Sequence, residues 1–120
     1  MVERRYGDTR VTPPPRQHYP THITRLVFIE VPLPSADTEY TWQLPLGLRT
    51  FTLQVRDGSP LRLAWEREKV VSSNPPYFTL KPDTFWTEQN LDIQNEKCIL
   101  YIASRTAGKI VEIIAGIEED

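Results

Sequence analysis

The sequence predicts an all-β protein: a jelly-roll-like β-sandwich spanning residues 23–120, preceded by an extended N-terminal arm, residues 1–22. Three observations predict it. Short apolar segments alternate with a period of two, the signature of strands with one buried and one wet face. Glycine, proline, asparagine and aspartate recur between these segments at the spacing of turns. No segment carries the 3.6-residue apolar periodicity over the length an amphipathic helix needs.

The elements follow in chain order. Residues 1–22 hold Arg4, Arg5, Arg10 and Arg16 against Glu3 and Asp8, with Pro13-Pro14-Pro15 in the middle and few aliphatic side chains. Proline fixes φ and removes a donor, so the triplet favours an extended polyproline segment without a core of its own. Thr24–Val31 is β-branched and aromatic, and Pro32 and Pro34 are expected to close it. Tyr40–Leu44 is a second strand. Arg49–Arg56 alternates most cleanly, with Phe51, Leu53 and Val55 on one side and Thr50, Thr52, Gln54 and Arg56 on the other. Asp57-Gly58-Ser59-Pro60 is a turn by composition, and Leu61–Trp65 alternates again, with Leu61, Leu63 and Trp65 inward. These two strands are expected to form a hairpin.

Tyr77–Leu80 is a short strand before the turn Lys81-Pro82-Asp83, and Phe85-Trp86 leads through polar residues to Leu91 and Ile93. Cys98–Ala103 and Lys109–Ala115 are expected to close the domain as a pair. The rival reading of Lys109–Ala115 as a helix is disfavoured by its shortness, its β-branched content and the flanking Gly108 and Gly116. About seven strands result, with a compact barrel as the alternative to a sandwich.

At 120 residues the chain suits one hydrophobic core, with 39% hydrophobic and 25% charged residues. The net charge of −2 argues against a protein that wraps nucleic acid. No apolar run approaches the roughly 20 residues of a membrane-spanning helix, and Met1–Arg5 does not begin a secretory signal, so a soluble chain without membrane contact is expected. The single cysteine, Cys98, rules out an intrachain disulfide framework and reads as a buried, inert thiol. The charge is unevenly placed. The arm carries four arginines against two acids, a net +2, and the remainder ten basic against fourteen acidic residues, a net −4. Such an arm suits docking on an acidic surface, that of an adjacent copy included.

The search for chemistry predicts no catalytic, cofactor or metal site. His18 and His22 both fall in the arm with Pro20 between them, so their four-residue spacing has no helical meaning. No histidine in residues 23–120 can serve a Ser-His-Asp or Cys-His arrangement. Asp83 and Glu88 are the nearest approach to paired catalytic acids, and read as a turn residue and a surface charge. Asp92, Asn95 and Glu96 match no calcium loop. Gly58, Gly108 and Gly116 are isolated and cradle no phosphate. Of the tryptophans, Trp65 and Trp42 are expected in the core and Trp86 as a partly exposed ring.

One resemblance adds to this reading. The succession YTWQLPLGLRTFTLQVRDGSPLRLAWE, YFTLKPDTFWTEQNLDI and CILYIASRTAGKIVEIIAG, within residues 40–115, resembles small β-sandwich virion structural proteins of tailed bacteriophages. The matching pieces are Phe51–Arg56, Tyr77–Leu80 and Leu100–Ile114. The resemblance implies a structural protein of the virion, of the capsid decoration or cement type or a neck or tail accessory. It also implies that other virion proteins are partners, and it brings no catalytic residue. In that reading the partner-binding residues are Arg4, Arg5, Tyr6, Arg10, Arg16 and Tyr19 of the arm, reaching over a neighbouring subunit of a homo-oligomer, with no specific nucleic acid bound. A different class, a carbohydrate-binding or adhesion module, would instead need Trp86 and Trp42 exposed and coplanar along a shallow groove.

Overall fold

The computed structural model describes residues 23–71 and 75–119; the whole arm, with its six candidate partner-binding residues, lies outside them. Eight strands form: β1 (Arg25–Leu33), β2 (Tyr40–Gln43), β3 (Leu48–Val55), β4 (Leu61–Ala64), β5 (Phe78–Leu80), β6 (Phe85–Glu88), β7 (Ile99–Ala103) and β8 (Lys109–Ile117). They pair into two four-stranded antiparallel sheets, in the orders β1-β8-β3-β6 and β2-β7-β4-β5. Every link between consecutive strands crosses from one sheet to the other except β4 to β5. This interleaving of eight strands is the jelly-roll form of the β-sandwich.

The core lies between the sheets and is built by the alternation read from the sequence. Phe51, Leu53 and Val55 of β3 point inward against Leu61 and Leu63 of β4, Leu100 and Ile102 of β7, and Val111, Ile113 and Ala115 of β8. All of these are at most 4% exposed. Removing one Leu or Ile methylene cluster from such a core costs about 2–5 kcal/mol.

Two pairings differ from the expected ones. β3 and β4 form no hairpin, because β3 pairs with β6 and β8 while β4 pairs with β5 and β7. β7 and β8 likewise lie in different sheets. Alternation fixes which face of a strand is buried, and that face is the same whether the chain turns back within a sheet or steps across to the opposite one. The five residues 56–60 reach about 16 Å when extended, ample for the roughly 10 Å between packed sheets. Of the two prolines expected to close β1, Pro34 follows its last residue but Pro32 does not end it. The strand continues through Pro32 to Leu33, since β1 is an edge strand and can spare a donor on its open side. Leu91 and Ile93 join no strand, although both pack half-buried against the core.

Two glycines fasten the corners. Gly47 has φ +81°, donates to the Ile93 carbonyl and accepts from the Glu118 amide, and a Cβ there would lie 2.3 Å from the Glu118 carbonyl oxygen. Gly58 has φ +79°, and its carbonyl accepts a 2.9 Å bond from the amide of Asp83, which docks the β3–β4 corner on the β5–β6 turn. Asp83, with φ 59°, is the turn residue the sequence suggested.

Candidate functional site

Two surfaces stand out, one on the outer face of the first sheet and one at its seam with the second. On the outer face, the register sets Phe28, Ile114, Thr52 and Thr87 in one row across β1, β8, β3 and β6. Beside it lie Leu26, Gly116 and Thr50, with Ile23 packed over Gly116. Phe28 is 80% exposed, Leu26 65% and Ile114 45%. A charged row adjoins this apolar patch. Glu30 and Glu112 face each other across β1 and β8, a repulsive pair that the Arg56 guanidinium resolves by binding both carboxylates, Glu112 at 2.7 Å. Arg56, and after it Gln54 at 3.2 Å, hold the Glu112 carboxyl below its ordinary range.

The sequence contained a sign of this face. Leu26 to Ile29 and Ile113-Ile114 are unbroken apolar runs, the pattern of strands covered on both faces. The partner-binding residues named from the sequence all lay in the arm. The long apolar segments Leu26–Val31 and Ile110–Ile114 read as needing cover by an oligomer, or Glu30 and Glu112 as edge guards, but were not named as a site.

The second surface is a cleft of about 490 Å³ where β5 and β6, the facing edges of the two sheets, part. Its floor is Leu63, Ala64 and Leu100; its walls are Trp65, Pro76, Tyr77, Phe78 and Trp86; Glu66 and Glu88 stand at the rim. The aromatic rings form a chain from the core to the surface. Trp42 meets Phe51 at 5.2 Å, Phe51 meets Trp86 at 5.3 Å, and Trp86 meets Trp65 at 5.9 Å and Phe78 at 6.1 Å. The indole nitrogen of Trp86 donates to Glu88 Oε2 at 2.8 Å, which fixes that ring and leaves the other carboxylate oxygen to the cleft.

Trp86 is half-buried and Trp42 buried, as the sequence suggested, but Trp65 is 50% exposed and not core. Its position does continue the inward set of Leu61 and Leu63. β4 ends at Ala64, however, and Trp65 leans at the seam on the flank of Trp86. The flat pair of rings a sugar platform requires is absent from the cleft. Trp42 is 7% exposed, and the Trp65–Trp86 and Phe78–Trp86 planes are inclined at 65° and 41°.

The remaining candidates are dispersed. Glu88 is half-buried beside Trp86 while Asp83 sits exposed at the turn. Asp92 pairs with Arg49 at 3.1 Å. Cys98 is half-buried against the core. Among the described residues no cluster of three or more His, Cys, Asp or Glu side chains could hold a metal ion. No protein-family model, curated protein or solved structure gives a significant match to this chain.

Proposed function

We propose that this chain is a structural protein of a phage virion, a capsid decoration or cement protein that works by docking rather than by catalysis. Its body docks through the outer face of the first sheet, and residues 1–22 reach a neighbouring subunit. The observation that carries the reading is the exposed apolar patch of Leu26, Phe28 and Ile114 on a sheet whose edge strand, among the described residues, pairs on one side alone. A row of large apolar side chains on an exposed face marks an interaction surface, and an open edge strand invites pairing unless something covers it. Burying Phe28 alone at an interface is worth about 2 kcal/mol. The virion assignment rests on the resemblance of residues 40–115 to small phage structural proteins.

The test is binding to phage capsids stripped of this protein. Phe28→Ser with Leu26→Ser, and separately deletion of residues 1–22, should each weaken binding while leaving the folded body intact by circular dichroism. Unchanged binding by both variants would overturn the reading.

A further inference from the structure

We propose that the aromatic cleft at the β5–β6 seam is the receptor for the Pro13-Pro14-Pro15-Arg16 segment of a second copy of this chain. The inference rests on the reading of residues 1–22 as a docking arm and names where that arm lands.

The cleft's chemistry specifies its occupant. Trp65, Tyr77, Phe78 and Trp86 stand as oblique walls over an aliphatic floor, and among the described residues the charged groups lining it are Glu66 and Glu88. Grooves walled by aromatic rings accept polyproline segments, whose rings fill the slots between aromatic side chains at little cost in ordering entropy. Carboxylates at the rim of such a groove select a cation beside the prolines, and arginine binds a carboxylate through two parallel hydrogen bonds. Within the chain one segment joins three consecutive prolines to an arginine, and it falls in the part of net charge +2. In polyproline form those four residues extend about 12 Å.

The position of the arm's root favours a second copy over the same one. Residue 23 lies by β1, and the cleft by β6, the opposite edge of the first sheet. Returning to its own cleft, the arm would have to reverse direction and cross three strand spacings, about 14 Å, before turning into the seam. Trp86 also shares a row with Ile29, six residues or about 20 Å along β1 from Ile23, so the separation is about 24 Å. The seven residues 16–22 span at most about 25 Å, so that path leaves little slack. Reaching outward to a neighbour needs no reversal. Each copy would then give an arm and receive one, a head-to-tail arrangement that closes into a ring or continues along a surface.

The test mixes two full-length chains, both carrying Cys98→Ser. One also carries Gln17→Cys beside the proline segment, the other Arg67→Cys beside the cleft rim. Mild oxidation should give the mixed disulfide dimer, and its yield should fall several-fold when Pro13, Pro14 and Pro15 are all changed to Gly, or when Glu66→Gln and Glu88→Gln are combined. A yield unaffected by these changes overturns the inference, as does a chain bearing both new cysteines that closes only on itself. If no mixed dimer forms while deletion of residues 1–22 still abolishes capsid binding, the arm's receptor lies elsewhere and the docking function stands. If the deletion leaves capsid binding intact, the arm's part in that function fails as well.

Discussion

The two outer faces of the sandwich are treated in opposite ways. Outward from the second sheet, Ala64 and Ala103 are small, and the β4–β5 connection folds back over them, burying Val70 completely with Val71, Tyr77 and Tyr101 packed around it. Outward from the first sheet, Phe28 and Ile114 are large, and no segment among the described residues covers them. Among the described residues the chain thus roofs one apolar face and leaves the other uncovered. A loop that closes a face makes it part of the fold; a face left open keeps its apolar surface in solvent, which is the basis of the docking proposed there.

This contrast can be broken from the covered side first. Val70→Asp would bury a charge without a partner and should lower stability by about 3 kcal/mol, read as a fall in the denaturant midpoint. Gly47→Ala comes next. Its Cβ would meet the Glu118 carbonyl at a φ that L residues avoid, so a loss of about 2 kcal/mol is expected in the same measurement. On the open face the expectation reverses. Phe28→Asp should leave the stability of the isolated chain within about 0.5 kcal/mol of the parent while weakening the proposed binding to capsids, read by co-sedimentation.

The smallest effect is electrostatic. Lys109 binds Asp57 at 2.6 Å, and that bond, with those from Ser59, lowers the Asp57 carboxyl from 3.8 to about 2. A depressed folded-state value means that the contribution is fully present above about pH 4 and is lost as the pH falls towards 2. Asp57→Asn should therefore flatten the acid limb of the stability profile in that window, lowering stability slightly near neutrality and leaving it unchanged near pH 2.

Much of this architecture was legible in the sequence, and the reason for the rest is geometric. Phe51, Leu53 and Val55, or Leu100 and Ile102, announce a buried face by simple alternation, and strand after strand was placed within a few residues. The partner of each strand is set by the order of the sheets, which alternation does not encode, so Arg49–Arg56 and Leu61–Trp65 looked like a hairpin. The cleft depends on that order entirely. Trp65, Phe78 and Trp86 come from three separate strands or their ends, and they meet only because β5 and β6 become facing edges. Trp86 could be singled out from the sequence; its company could not.

The clasp between the beginning and the end of the described chain has a practical consequence. The Thr24 amide donates to the Ile117 carbonyl and the Glu119 amide to Thr24 Oγ1, so residues 23 and 119 emerge side by side. A bulky tag fused after the last residue would stand beside Ile23, where residues 1–22 join the described chain. The β7–β8 loop sits at the other end of β1, where Gly108 donates to the Leu33 carbonyl and Arg105, Thr106 and Ala107 face solvent. A fluorophore or affinity handle inserted there would stand at the far end of β1 from Ile23 and could be used to test the proposed docking without crowding the corner that Thr24, Ile117 and Glu119 form.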